Sequence, residues 1–548
     1  MAKGWLPFRR TWILTAGLVF VYVAQCLWFL HTQSLTYDEP VHIAEGLDAW
    51  RNGRFEQYND HPPLARLLCA LPLVAERWQV DVDQETRGFR VRRIAPDPIT
   101  LAWRARIMNV GLGVILAGLV WWVAGQLFSP RAANLALALY VFSAPLIAHF
   151  SVATTDGAAT LLIFAAAVAV TRWRDGPSTR RTLLLGLVLG LLLLAKFSTP
   201  LMFALAVSWM VVPVPGAGPW IRSLWKISVT VGIAALVLWA GYFFHTAHLV
   251  IGDGQIRVTY PNRKEVVYTP VRTTIRARVW VPAGEYVEGL RNTLRHNQRG
   301  QPAFLLGQVS PTGGWKAYFP VVVLLKWPTA VLLLFLIAAG LVLGRRVLWP
   351  RQCWVMASFP SLYFVMSLFA RFDLGDRHIL PVYPFVILLA SGVAEVARTR
   401  RLMLCLGAVV LLHLADGLRF APDFLSYFNL LIRPAQSYQW LSDSNLDWGQ
   451  GLLALRQYQT AHPGEAISLA YFGSVEPSVY GIRSHLLAEG EKVQGTVVVS
   501  ATQLSGQYLE NPASYRWLLH YPRVAILDHS LFVFHVPADA SSQARTSE

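Results

Sequence analysis

The sequence predicts an α-helical multispan membrane protein with about eleven transmembrane helices and a small external α/β domain at its C-terminal end. Three observations carry this. Apolar residues make up 54% of the 548 and charged residues only 15%, too little polar surface for a soluble chain of this size. Apolar runs of roughly 17–25 residues, the length that crosses a bilayer, recur along the chain. The net charge of +16 gathers in arginine-rich loops between those runs, as the positive-inside bias of multispan proteins requires.

Lys3, Arg9 and Arg10 precede the first span, 11–31, and put the N-terminus in the cytoplasm. That span is too long for the core of a signal peptide and continues into "FLHTQSL" with no small-residue cleavage site. Further spans are expected at about 106–128, 132–151, 157–171, 182–197 and 199–214, the last two being short. A seventh follows Arg222 and Lys226 and ends near His248; the eighth ends at "GRRVLWPR". The ninth covers 353–370, the tenth runs from Ile379 to "ARTRR", and the eleventh covers 402–418. The transmembrane unit is then 1–418, N-in and C-out, with external loops at about 32–105 and 249–315.

In the first loop Ile43, Ala44, Leu47 and Trp50 recur at helical spacing and predict an amphipathic helix on the membrane surface. Arg87, Arg90, Arg92, Arg93 and Arg104 make the end of this loop basic, which suits lipid phosphates. In the second loop "QIRVTYP" and "EVVYTPV" alternate and predict a hairpin. From 419 to 537 "AISLAYFG", "GTVVVSA" and "RVAILDHSLFVFHV" read as strands and "GQGLLALRQYQ" as a helix. The last stretch, 538–548, reads as a disordered tail. Cys26, Cys69, Cys353 and Cys405 lie in or beside apolar spans and predict no disulfide framework.

Two acidic turns stand out. "TYDEPVH", Thr36 to His42, follows the first span, and "VATTDGA", Val152 to Ala158, follows the third. Two odd-numbered crossings bring both to one face. Asp38 reads either as a helix N-cap before Pro40 or as a general base beside the bilayer, with Glu39 next to it. Asp156 carries the same two readings at the start of the fourth span. In a helix Asp38 and His42 lie one turn apart, as do His42 and Glu45, the spacing of half a metal site; a structural histidine is the competing reading. "YNDHPPLARLL" adds Asp60, His61 and Arg66, either as a plain turn and helix start or as part of the same surface.

Lys196 and Lys326 sit within apolar stretches, where an ionisable group either snorkels or has a function. Arg371, Asp373, Asp376, Arg377 and His378 crowd the turn before the tenth span. A guanidinium there suits a phosphate, and an internal Asp–Arg pair accounts for the cluster equally well.

The ordered set Asp38, Glu39, His42, His61, Pro62, Pro63, Leu64 and Arg66, with the "TTDG" turn at Asp156, resembles the protein O-mannosyltransferase and glycosyltransferase family 39 group of the GT-C superfamily. "FLLGQVSPTGGWKAYFPVVVLLKWP", "DRHILPVYPF" and "SDSNLDWGQ", Ser442 to Gln450, are similar to segments of its bacterial members. Arg66 stands where a lysine is usual after "HPPL", His42 lies one place further from Glu39 than in the eukaryotic enzymes, and a tail domain replaces their central soluble domain. The resemblance implies a GT-C-like fold and a sugar donor carried on a polyprenyl phosphate, used at the external face of a bacterial inner membrane. It implies transfer with inversion to a protein, lipid or glycan acceptor. Asp38 would be the base, and Asp156 would orient the acceptor or a divalent metal ion. Lys196, Lys326, Arg66 and Arg377, with His42, Asp60, His61 and His378, would bind substrate. A metal requirement stays open, with Asp38, Asp156 and His42 as its candidate ligands.

Other classes fit less well. No basic run interleaved with aromatics points to nucleic acid. A lipid-linked sugar transporter would gather polar groups at the bilayer midplane, often in repeated halves, whereas these acids collect at one surface. A polysaccharide ligase or polymerase is a chemical neighbour with a different acceptor, and a sensor would place binding in the tail.

Overall fold

A computed structural model describes residues 12–55, 60–85, 88–212, 221–252, 255–261, 265–268, 276–346 and 350–538. The basic N-terminus, Tyr58, Arg87 and the closing stretch 539–548 lie outside these. The helices up to the middle of the chain are α1 Trp12–Thr32, α2 Glu39–Asn52, α3 Leu64–Ala70, α4 Pro98–Leu127, α5 Pro130–Val141, α6 Ala144–Phe150, α7 Thr155–Asp175, α8 Thr179–Leu193, α9 Pro200–Val211 and α10 Ile221–Gly241. They continue as α11 Gly284–Arg299, α12 Tyr318–Lys326, α13 Thr329–Leu343, α14 Arg351–Ser367, α15 Tyr383–Ser391, α16 Arg400–Leu418, α17 Leu452–Ala461 and α18 Ala501–Ser505.

Each predicted span coincides with helix, but not every one is a crossing helix. Among the described residues five helices are long and apolar enough to cross a membrane: α1, α4, α7, the Leu224–Gly241 part of α10, and α16. Two bent pairs, α5 with α6 at 64° and α12 with α13 at 110°, raise this to seven if each is one span. Length and apolarity among the described residues therefore do not confirm the count of eleven, and three shorter apolar stretches, Leu64–Leu73, Pro200–Val211 and Leu380–Glu395, stand beside these. Apolar composition finds helices but does not register breaks. Pro328 interrupts the run at 318–343, and Ser143 with Pro145 interrupts the third span. The seventh span also ends sooner than expected, at Gly241, because His248 belongs to a strand.

The smaller sheets come from the loops. β1 Gln79–Glu85 and β2 Gly88–Ala95 form an antiparallel pair. Its arginines pair with carboxylates, Arg90 with Glu85 at 2.6 Å and Arg92 with Asp83 at 3.2 Å, and Arg104 pairs with Glu76. β3 Thr246–Gly252, β4 Gln255–Thr259, β5 Val266–Tyr268 and β6 Ala277–Pro282 form an antiparallel sheet in the order β5-β4-β3-β6, so the expected hairpin is β4 with β5. β7 Ala303–Leu305 and β8 Gln308–Ser310 make a short pair.

In the tail β9 Ile467–Ala470, β10 His485–Leu486, β11 Gly495–Ser500, β12 Arg523–Leu527 and β13 Leu531–Val536 form a mixed sheet in the order β10-β9-β11-β13-β12. Its central strands alternate apolar side chains to both faces. Val497, Val499, Phe532 and Phe534 join the large cluster built by the helices, while Val498, Leu531 and Val533 join a second cluster with Ile43, Leu47 and Leu101. Ile43 and Leu47 of α2 are thus buried against protein. Gly46 allows α2 this close approach to α3, since a Cβ there would run into the Arg66 carbonyl.

Candidate active site

The turn between α1 and α2 is clamped by the tail. Ser34 N–H donates to the Gln450 carbonyl at 2.9 Å and Tyr37 N–H to that of Trp448 at 2.8 Å, so "SDSNLDWGQ" braces the first acidic turn. Asp38 precedes α2, yet its side chain caps no helix N–H. Its Oδ2 accepts from Arg377 Nη1 at 2.7 Å, and the side chain keeps 26% exposure.

The same guanidinium faces the second acidic turn, with Nη1 3.9 Å from Asp156 Oδ2. Asp156 is buried in the first turn of α7, and its Oδ1 receives Lys196 Nζ at 2.5 Å. The structure thus brings Asp38, Asp156, Lys196 and Arg377 to one place. Arg377 is held against Trp448, 4.1 Å from the ring centre, which fixes the fork that both acids share. Two buried polar atoms here, Arg377 Nε and His378 Nε2, have no hydrogen-bond partner among the described residues. Buried polar atoms are costly unless bonded, so these two are open to a further partner.

A second group lies alongside. Arg66 Nε donates to His42 Nδ1 at 3.2 Å, its Nη2 reaches Asp60 Oδ1 at 2.5 Å, and it pairs with Glu45. His61 packs edge-on against His42 at 5.4 Å. Burial first, and then the Arg66 charge, hold His42 well below the usual imidazole range. His42 is therefore neutral, with Nδ1 accepting and the proton on Nε2. His61, Arg66, Glu45 and Tyr242 line a cavity of about 20 Å³, room for a single water-sized group.

Three sets of candidate residues have structural partners of their own. Glu39 does not face the site: it is wholly buried, and Arg106 grips it through Nε at 2.8 Å and Nη2 at 2.7 Å. The N–H groups of Thr36 and Ala153 also donate to it, each at 2.7 Å, as does the Thr36 hydroxyl at 3.1 Å, so it ties the two acidic turns together. Lys326 is not a free cation for a leaving phosphate. It is buried and donates to the Leu425 and Asn445 carbonyls at 3.0 and 2.5 Å, anchoring the tail. Asp38, Asp156 and His42, the candidate metal ligands, each already have a cationic partner, in Arg377, Lys196 and Arg66. No group of three or more His, Cys, Asp or Glu side chains converges among the described residues.

Several side chains were missed in the sequence. Arg106 stands at the start of a predicted span, and an arginine there already signals a buried partner. His149, another ionisable group in an apolar run, meets Asp376 Oδ1 at 3.1 Å. Trp448 and Asp443 belong to the "SDSNLDWGQ" segment noted above, but no local pattern relates that segment to Arg377. Gly375, at φ 145°, lets this tail segment approach: a Cβ there would run into Ser444 Oγ.

Asp373 gives the site's surroundings a pH dependence. Burial pushes its carboxyl up from 3.8 to about 6, against the N–H of Trp315, which it accepts at 2.8 Å. The folded chain holds this proton more tightly than the unfolded chain. Stability from Asp373 is therefore present in acid and is lost as pH rises from about 4 to 6. Asp373→Asn is expected to flatten that limb of the melting-temperature profile. An unchanged slope would show that another group sets it.

Residues 100–242 match the family model described as dolichyl-phosphate-mannose-protein mannosyltransferase. The resemblance to GT-C membrane glycosyltransferases is borne out by this match. Asp156, Lys196 and Arg106 fall inside the matched segment; Asp38, His42 and Arg377 fall outside it. No curated protein matches the chain. Among solved structures, ArnT from Cupriavidus metallidurans in the apo state is 13% identical with a TM-score of 0.49, covering 95% of this chain and 98% of that one. The same protein bound to undecaprenyl phosphate is 12% identical with a TM-score of 0.48, covering 97% and 99%. The Archaeoglobus fulgidus oligosaccharyltransferase in complex with zinc and sulfate is 12% identical with a TM-score of 0.45, covering 84% of this chain and 60% of that one.

Proposed function

We propose that this protein is an integral-membrane glycosyltransferase that moves a sugar from a polyprenyl-phosphate carrier to an acceptor at the external face of the membrane, with inversion. The observation that carries this reading is the meeting of two acidic turns, far apart in sequence, on the single guanidinium of Arg377. The family match over residues 100–242 supports the class.

The chemistry follows from the residues. Asp38 is the less buried of the two acids and takes no part in capping, so its carboxylate is the one that can receive an acceptor proton. As that proton transfers, the acceptor's hetero atom attacks the anomeric carbon from the side opposite the lipid phosphate. The bond from that carbon to the phosphate oxygen breaks, and the phosphate leaves with the electron pair. Negative charge grows on the leaving group, where fixed cations lower the barrier most. Arg377, Lys196 and Arg66 are the cations at hand, and the orphaned Arg377 Nε and His378 Nε2 supply directed contacts. Asp156 holds Lys196 and Arg377 in place. Neutral His42 with Asp60 and His61 lines the neighbouring wall.

The test is reconstitution of the purified chain in proteoliposomes with a polyprenyl-phosphate-linked sugar on the outer leaflet and an extract of envelope proteins, lipids and glycans as the source of acceptor. The expected result is protein-dependent appearance of the sugar on a component of the extract, with matching release of free polyprenyl phosphate. Movement of intact donor between leaflets, with no release, would replace this reading by that of a transporter.

A further inference from the structure

A second, separate cavity lies at the other end of α7. Arg172 is sixteen residues beyond Asp156, which places it about 24 Å along the helix from the acidic site. The cavity measures about 220 Å³ and lies between the C-terminal ends of α4 and α7 and the start of α14. Trp122, Val123 and Val168 give it an apolar wall, and Gln126, Arg172 and Gln352 give it a polar one. The proposed reaction uses none of these.

Charge and setting both select an occupant. The Arg172 guanidinium lies over Trp122 at 4.6 Å and makes no ion pair among the described residues. Arg351 lies close enough to Arg174 for their like charges to repel. Arg181 covers the carbonyls of Arg172 and Gly176 at 2.9 and 2.8 Å, which blunts the negative end of α7. The one carboxylate on the lining, Asp175, accepts from Gln352 Nε2 at 3.1 Å. The lining itself thus holds one cation and one anion, and Arg174, Arg181 and Arg351 beside it make the surroundings basic. The helix ends on this side also carry tryptophans. Trp12 meets Trp121, Arg174 lies over Trp209, and Trp225 and Trp354 remain 70% and 60% exposed. Such aromatic belts mark the membrane–water interface, where lipid headgroups lie.

We propose that this cavity binds the headgroup of an anionic glycerophospholipid, with Arg172 on the phosphate and an acyl chain along Val123 and Val168. A free phosphate ion would use the same guanidinium but not the apolar wall. The proposal does not depend on the sugar-transfer reading.

Native mass spectrometry of the full chain, in detergent carrying equal phosphatidylglycerol and phosphatidylcholine, tests it. The expected result is about a fivefold excess of phosphatidylglycerol adducts, the factor that one interfacial basic residue supplies. Arg172→Gln should remove most of that excess, Arg172→Lys should keep part of it, and Met356→Trp should block the cavity. Equal retention of both lipids by the unaltered chain would overturn the site without recourse to any variant. So would full retention by Arg172→Gln and Met356→Trp, or displacement of the lipid by inorganic phosphate.

Discussion

Asp38→Asn is expected to leave a folded, membrane-inserted protein whose transfer rate falls by about a thousandfold. The loss follows from the position of this carboxylate. Positioned acid–base groups contribute about 10²- to 10⁴-fold, and an amide cannot take the acceptor's proton. The protein should survive the change. The substituted amide still offers an oxygen to Arg377, and the Asp38 side chain is partly exposed to solvent, so the hydrogen bond is kept when the charge is lost. Donor binding should hold, because Arg377, Lys196 and Arg66 are untouched, so the effect belongs in kcat more than KM. The measurement is donor turnover in proteoliposomes beside a thermal melt of the same preparation. Transfer at the unaltered rate by a well-folded Asp38→Asn variant would remove Asp38 from the role of base, and with it the division of labour between the two acids.

How much of this was legible in the sequence depends on the range of the interaction. The first acidic turn, the second, and the basic cluster at Arg377 are local patterns beside apolar runs, and each could be read where it stands. That they meet rests on topology: the polar turns at the ends of α1 and α6 and before α15 come to the same end of the molecule. The competing N-cap reading of Asp38 was as good locally, and only Arg377 decides against it. Glu39 shows the converse. Beside Asp38 it looked like a second reacting acid, but its face of α2 turns inward to Arg106. Lys326 met the rule that an intramembrane cation has a partner, yet the partners are main-chain carbonyls of the tail, which carry no sequence signal. Helix breaks were the least visible, since a kinked apolar run and a straight one have the same composition.

Loss of the Glu39–Arg106 pair is expected to be strongly destabilising. Both side chains are fully buried. Glu39 accepts from Arg106 twice and from the N–H groups of Thr36 and Ala153, and Arg106 also donates to the carbonyls of Gln33 and Ser34 at 2.8 and 2.6 Å. This one pair therefore joins α4 to the turn that carries Asp38 and to the turn that leads into Asp156. Glu39→Ala leaves a guanidinium in the core without its counter-charge and two N–H groups without acceptors. Removing one partner of a buried pair costs about 3–5 kcal/mol. Arg106→Ala should cost a similar amount, since it strands the carboxylate and two carbonyls. The double variant should lose less than the two single losses combined, because no uncompensated charge remains. Glu39→Gln keeps the shape but points an NH₂ at the guanidinium or at an N–H, and should fall between the unaltered chain and Glu39→Ala. Thermal melts of the purified protein in detergent read all four. A melting temperature for Glu39→Ala within about two degrees of the unaltered chain would mean that the two acidic turns are held together by something other than this pair.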